Sequence, residues 1–481
     1  MNALFDKEKN KMIQIMLYSL DSPKIAFKQM LRDLEISTAS AYSYLEQLNT
    51  FFISIDDTSY FKTENHMLLF VRSKNFTLHK LLIHLFETSL SSFIFFSIFS
   101  EEQSSVSDVA KKASVSRATI YNKIKQLNKW LIPKELKIIY KPLTIVGSEQ
   151  TIRRFFHELF WTIYKSEKIP LPIEYDKATL EIEIIERQLH NTFSIVEKLW
   201  LMHWITILAK RRSQHRFVDG LVPLTFTKRS RRHVIAKREE IPDSFYQNEV
   251  HFELSIIESF LVSDHPFSPF LNEFILFHQA RHTEEWSIFH EIMDALFQHN
   301  IPSFISGNTL LKARVLSLII RSSNPHFDST DFIPQLESPQ KKCLYLGLFN
   351  NLEKALSSSK RSSYYYKIRN KKALVLGIYD ALITCSEIKN YEPPIYIRVD
   401  VLSWDKKVQI QHKLRTSFPY NILFDTTDAS PFTPDLLISD FYLSEFSSYP
   451  FEYYLINEAI TDFDKIELEK IIYSILHTKI N

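Results

Sequence analysis

Between Val106 and Leu131 the apolar positions fall at helical spacing twice, with a short polar break between. Val106, Val109 and Ala110 line one face of a short helix, Ala113-Ser114-Val115 forms a turn, and Ile120, Ile124, Leu127 and Leu131 line a second helix. Ser116 stands where an N-cap belongs. Ile138-Ile139-Tyr140 and Leu143 to Val146 flank Lys141-Pro142 and predict a hairpin wing. The plan recurs between Lys24 and Phe61: Ile25, Met30 and Leu34 on one helix, Ile36-Ser37 at the turn, and Ala41, Leu45 and Leu48 on the next. Phe52 to Ile55 and Ser59 to Phe61, around Asp56-Asp57, predict its wing.

The stretch from Leu81 to Phe99 is apolar but is interrupted by His84, Glu87 and several serines, and it predicts one buried helix rather than a membrane span. From Pro170 to about Asn390 the period is helical, broken at Pro242, Pro266, Pro269, Pro302, Pro325 and Pro334. After Tyr391-Glu392-Pro393-Pro394 short apolar runs appear at Ile395 to Val399, Asn421 to Phe424, Leu436 to Ile438 and Tyr453 to Ile456. They alternate with helical stretches such as Lys406 to Leu414 and Asp464 to Leu476, the pattern of a small α/β unit with a largely parallel sheet. The chain therefore reads as a mainly α multidomain protein. Winged helix-turn-helix domains are expected over 1–65 and 66–165, helical bundles over 170–285 and 286–390, and an α/β domain over 392–481.

Composition narrows the chemistry. The 481 residues include only five glycines, at 147, 220, 307, 347 and 377, too scattered for a phosphate-cradling loop or a nucleophile elbow. No nucleophile with its base, and no working pair of carboxylates, can be assembled from the sequence, so neither catalysis nor a cofactor is expected. Cys343 and Cys385 stand alone, against a disulfide framework or a cysteine metal site. Met1 to Lys11 carries acids among its bases and does not read as a signal peptide, and a cytoplasmic location is expected. The net charge is only +2, yet residues 1–165 hold 22 Lys and Arg against 16 Asp and Glu. A basic front half points toward a polyanion.

Gln103 to Pro142 alone carries nine Lys and Arg against two acids. On the second helix of this unit Arg117, Tyr121, Asn122 and Lys125 combine phosphate-directed cations with groups that hydrogen-bond base edges. With Ser116, Thr119 and Lys123 they form the expected DNA-binding set, against the plainer reading of a helical hairpin with a solvated basic face. In the first unit Ser37, Thr38, Ser40, Tyr42 and Ser43 take the same positions with few cations, so either DNA contact or a supporting role fits. Lys210 to Arg238 holds ten Lys and Arg against one acid, the pattern of a solvated loop first, a phosphohistidine or partner-binding surface next and a DNA backbone contact last. His278 and His282 lie four apart without the HExxH glutamate, and no metal is expected there. Tyr364-Tyr365-Tyr366 among basic residues suits a packing patch better than base stacking.

The helix Leu81 to Phe99 leading into Val106 to Leu131, then Leu143-Thr144-Ile145-Val146-Gly147-Ser148-Glu149 with Ile152-Arg153 and Phe156-His157-Glu158-Leu159, resembles the Mga/AtxA family of virulence regulators of Gram-positive bacteria. The resemblance runs nearly the whole length. It implies two winged helix-turn-helix domains, two phosphotransferase-regulation domains (PRDs) and a C-terminal domain like enzyme IIB of sugar transport. It also implies a transcriptional regulator acting on promoter DNA, with preference for A+T-rich or curved duplex. Further implied are a homodimer or higher oligomer formed through the C-terminal domain, and phosphotransferase partners such as HPr. The acceptor histidine would be His215, beside Lys210, Arg211, Arg212 and Arg216, or His203. No histidine occurs between His326 and His412, so the second PRD lacks an obvious acceptor. The strand Ile395 to Val399 leads into Asp400-Val401-Leu402-Ser403-Trp404 without a cysteine, so the last domain is expected to be non-catalytic. The rival reading is a phosphotransferase-linked interaction protein whose winged helices are scaffolding.

Overall fold

The computed structural model describes residues 4–21, 24–55, 57–74, 76–100, 105–165, 167, 169–170, 175–189, 192–219, 241–261, 269–298, 308–323, 346–358, 368, 371–385, 393–401, 403–424, 433–441, 450–456 and 459–480. Asp56, Lys228 to Arg238, His326 and Tyr364-Tyr365-Tyr366 lie outside them. The described residues up to 260 form one compact unit and those from 261 onward another.

The first unit opens with α1 (Lys7–Asp21), β1 (Lys24–Ala26), α2 (Phe27–Asp33) and α3 (Thr38–Ser54), followed by β2 (Tyr60–Glu64) and β3 (Met67–Val71). The three strands pair antiparallel in the order β1-β3-β2, with Phe61 opposite Phe70 and Ile25 opposite Leu68. The wing therefore turns at Asn65-His66, both at positive φ (47° and 63°), and not around Asp56-Asp57. Burial explains the shift: Phe51 and Phe52 keep α3 helical to Ser54, because the Phe52 ring packs 5.9 Å from Phe70 and 5.2 Å from Phe76.

Two helices follow, α4 (Leu78–Glu87) and α5 (Leu90–Ser100), where one was expected. They meet at 77°: Thr88 turns its hydroxyl back onto the His84 carbonyl, and the Ser89 hydroxyl caps the new helix by accepting from the Ser92 amide. No single described helix is long and apolar enough to cross a membrane, although this bent pair passes by length and composition together; most of its side chains are buried in the core.

Next come α6 (Val106–Lys112), α7 (Arg117–Leu131), a 3-10 turn (Ile132–Lys134), β4 (Lys137–Tyr140), β5 (Leu143–Val146) and α8 (Glu149–Tyr164). β4 and β5 form the expected hairpin, Ile138 opposite Ile145. Gly147 closes it at φ +155°, where a Cβ would lie 2.6 Å from Leu136 Cδ2 and 2.7 Å from the Glu135 carbonyl oxygen. A side chain there would collide with the backbone and side chain that lead into β4. One continuous core runs from Leu4 to Ile207, so the two winged helices share an interior that extends to the helix Ile195–Ser213. The unit is completed by α9 (Tyr175–Leu189), α10 (Ile195–Ser213) and α11 (Asp243–Leu261).

In the second unit α12 (Pro269–Arg281), α13 (Glu284–Gln298), α14 (Thr309–Ser323), α15 (Leu346–Ser358) and α16 (Lys371–Cys385) pack as a helical bundle. Then β6 (Ile395–Asp400), α17 (Trp404–Ser417), β7 (Ile422–Phe424), β8 (Leu436–Ser439), β9 (Glu452–Leu455) and α18 (Asp462–Ile480) form a four-stranded parallel sheet of order β7-β6-β8-β9 with helices against it. Ile395, Ile397, Val399, Leu436 and Ile438 are buried, as a parallel sheet covered by helices requires.

Candidate nucleic-acid interface

The second winged helix is assembled by capping at both of its helix starts. Ser105 and Asp108 form a reciprocal capping box on α6. At the start of α7 the Ser116 hydroxyl accepts from the Thr119 amide at 3.1 Å and lies 2.8 Å from the Thr119 hydroxyl. Between the helices Ser114 takes a left-handed φ of 54°, and the Val115 amide donates to the Ala110 carbonyl at 2.9 Å. Ser116 and Thr119 thus build the turn, with Ser116 exposed and Thr119 half-buried.

Arg117, Tyr121, Asn122 and Lys125 are exposed on α7, as expected, joined by Ala118, Gln126 and Lys129. The Tyr121 ring lies 5.1 Å from that of Tyr140, which ties the helix to its wing. Lys111 and Lys112 on α6 and Lys137 and Lys141 on the hairpin are also exposed, so cations are exposed on all three elements.

Lys123 does not belong to this surface. It is 8 % exposed and lies on the core side of α7 with Ile120, Ile124 and Leu127. Burial pushes its ammonium down to about 8, opposed by the Asp6 carboxylate and reinforced by Lys9. Its spacing was the available signal, three residues after Ile120.

Asn128, also absent from the expected set, fixes the wing. Its amide donates to the Ile138 carbonyl at 2.9 Å and its oxygen accepts from the Ile138 amide at 2.7 Å. In the first unit Asn49 makes the same pair with Phe61, at 3.0 and 2.7 Å. The correspondence extends along the helix. Ser37, Ala39, Tyr42, Gln47, Leu48 and Asn49 recur unchanged 79 residues later as Ser116, Ala118, Tyr121, Gln126, Leu127 and Asn128. Ser37 caps α3 through Ser40 as Ser116 caps α7 through Thr119, and Glu35 takes the left-handed φ that Ser114 takes. Thr38, Tyr42 and Ser43 are exposed there and Ser40 is half-buried, with Tyr42 packed 5.2 Å from Phe27. This repeat was the readable signal for Gln47, Asn49, Gln126 and Asn128.

Residues 74–160 match the family model of the Mga helix-turn-helix domain. The chain carries that domain. The match supports membership of the Mga/AtxA-like regulators, which are not enzymes, and DNA-binding transcription regulation is the function that a Mga domain suggests. No curated protein matches the chain.

At the end of the matched stretch, α8 is bolted to α10 and α11 by buried ions. Arg153 binds Glu249 through both Nη1 (2.9 Å) and Nη2 (2.8 Å), while its Nε donates to Glu149 at 3.0 Å. Arg211 grips Glu149 at 2.7 and 2.8 Å, and Arg212 donates to Glu249 at 2.7 Å and to Glu253 at 2.9 Å. Burial pushes the Glu249 carboxyl up, and the guanidiniums of Arg153 and Arg212 bring it below its ordinary value. Arg211 and Arg212 are therefore spent on carboxylates and do not form the cationic surround expected for His215.

His215 itself is exposed, in a left-handed turn (φ 56°) just after α10. His203 is 4 % exposed, edge-on to Trp161, and burial pushes it down to about 3. His278 is buried against Phe274 and Phe277 with Nδ1 2.7 Å from the Thr283 hydroxyl, and His282 is exposed. Among the described residues no group of three or more His, Cys, Asp or Glu is arranged to hold a metal ion.

Proposed function

We propose that this chain is a transcriptional regulator that binds double-stranded promoter DNA with α7 in the major groove, the β4–β5 wing on the adjacent backbone and α3 as a second recognition helix. The observation that carries this reading is the outward row Arg117, Tyr121, Lys125 and Lys129 on a capped helix of a Mga domain. Cations spaced two turns and then one turn apart suit phosphates flanking a groove, and the wing lysines extend the contact. A+T-rich or curved duplex is the favoured form, because backbone contacts reward DNA that bends cheaply.

Regulation is read as passing through residues 170–285 and 286–390, taken as PRD-like bundles that answer the sugar phosphotransferase system, with HPr as phosphoryl donor. The chain is read as working as a homodimer through its C-terminal α/β part. His215 is the acceptor this reading retains, because phosphoryl transfer needs an accessible imidazole nitrogen and His203 is enclosed. The Arg216 carbonyl next to it accepts from Arg153 Nη2 at 2.7 Å, so a new charge at His215 would act one residue from the ion cluster that holds α8.

The test is titration of the full-length protein onto fluorescent curved A+T-rich duplex and an equal-length straight control at several salt concentrations, beside Arg117→Ala/Asn122→Ala/Lys125→Ala. Salt-sensitive binding that the variant loses is the expected result. Equal binding by the variant, or none by either protein, would overturn the assignment in favour of an interaction protein with scaffold winged helices.

A further inference from the structure

Each recognition helix turns two rows outward, because residues four apart lie along one face. On α7 the rows are Arg117, Tyr121, Lys125 and Lys129, and Ala118, Asn122 and Gln126. On α3 they are Thr38, Tyr42, Glu46 and Thr50, and Ala39, Ser43 and Gln47. The first row changes charge between the helices. The second is uncharged on both, with Ala and Gln at the same two places.

The amides on these helices divide sharply. Asn49 and Asn128 are consumed by the wing backbone. Among the described residues Asn122 and Gln126 make no hydrogen bond, and Gln47 makes only a long one, 3.4 Å, to the Ser43 hydroxyl. An exposed amide without an internal partner can donate to adenine N7 while accepting from the adenine N6 amino group. A guanidinium in the same row would select guanine and a carboxylate cytosine, so the chemistry of the row points to A·T pairs. The small Ala39 and Ala118 leave room beside them for the thymine methyl. One helical turn rises about 5.4 Å, more than one base-pair step of about 3.4 Å, so Asn122 and Gln126 reach neighbouring pairs.

We propose that Gln47 and Gln126, equivalently placed on the two recognition helices, read adenine in the major groove, with Asn122 reading a neighbour of the adenine taken by Gln126. This rests on the DNA-binding reading and adds direct base readout to it: each helix takes its own adenine.

The experiment selects duplexes from a random-sequence pool with the full-length chain and with Gln47→Ala and Gln126→Ala, then replaces the selected adenines one at a time by 7-deazaadenine, which lacks the N7 acceptor. For the unsubstituted protein, 7-deazaadenine at the read positions should weaken binding about tenfold. Each Gln→Ala variant should lose preference at one position and become indifferent to 7-deazaadenine there. Its salt dependence should stay unchanged, because no phosphate contact is removed. Thermal melting checks that these exposed sites leave folding intact. Variants that select the same adenines as the parent would overturn the proposal, as would salt-sensitive binding without any base preference, which would leave the DNA-binding reading standing. Absence of salt-sensitive binding to every duplex would overturn both.

Discussion

On α3 the outward row Thr38, Tyr42, Glu46 and Thr50 contains one acid and no cation, whereas the matching row on α7 contains Arg117, Lys125 and Lys129. Everything that shapes the two helices is shared: the serine cap, the left-handed residue before it, and the asparagine that grips the wing twelve residues after the cap. Geometry has been kept and electrostatics has diverged. The difference teaches that winged-helix architecture costs few residue identities, leaving the exposed rows open to specialise. Under the proposed reading the second winged helix supplies the cations for phosphate, while the first shares only the uncharged row.

The units also differ in what lies behind them. Arg153 and Glu149 on α8 join the second winged helix to α10 and α11 through a balanced set of three arginines and three glutamates. The largest expected effect follows from this. Glu249→Ala would leave three buried arginines with two glutamates, Arg153 keeping Glu149 and Arg212 keeping Glu253, and should destabilise the first compact unit by about 3–5 kcal/mol, measured by urea unfolding. A loss below about 1 kcal/mol would mean that water reaches the cluster and that the bolt is weak.

A second effect comes from the same side. Burial, opposed by Glu158, lowers the His157 pKa, and burial with the neighbouring His157 lowers that of His203 to about 3. The folded protein binds fewer protons than the unfolded chain below the ordinary histidine value, so stability is complete above about pH 6.5 and falls as pH drops toward the folded values. Between pH 7.5 and 5 His203 should contribute a loss of about 2 kcal/mol, with His157 acting in the same direction, and His203→Leu should flatten the profile. Equal stability at both pH values would contradict neutral burial.

Asn128→Ala and Asn49→Ala test the equivalence of the two wings directly. Each removes one amide that serves a backbone N–H and a backbone carbonyl, at a cost of about 1–3 kcal/mol. The loss should be larger for Asn128, which is buried, than for Asn49, which is half-buried. Paired melting curves of the variants check the order, and a reversal would show that the two wings are held by different contacts.

How much of this could be read in the sequence depended on how local each cause is. The second wing was legible because Ile138 and Ile145 alternate with outward residues around a clear turn. The first was displaced because Phe51 and Phe52 hold α3 together through partners twenty residues away, and because Asn65-His66 is a weaker turn signal than Asp56-Asp57. The C-terminal strands were legible from unbroken apolar runs. At the candidate interface Arg117, Tyr121, Asn122 and Lys125 followed from helical phase alone, and the same phase would have put Lys123 inside. Arg211 and Arg212 looked solvent-facing because their carboxylate partners stand 62, 37 and 41 residues away along the chain.

The comparison can be broken most cleanly at Glu46, which occupies on α3 the place of Lys125 on α7. If α3 approaches the sugar–phosphate backbone as α7 does, Glu46 faces phosphate and opposes binding, and its replacement by a cation should release an additional counterion. Glu46→Lys should then tighten DNA binding by about fivefold to tenfold at moderate salt and steepen the slope of log affinity against log salt by about 0.9. Lys125→Glu should do the reverse. The exposed position on a solvated helix face makes either change nearly neutral for folding, so titration at four salt concentrations reads the contact itself. An unchanged slope for Glu46→Lys beside a reduced slope for Lys125→Glu would place α3 away from the backbone. The repeat would then have preserved a fold, with only its second copy gripping phosphate.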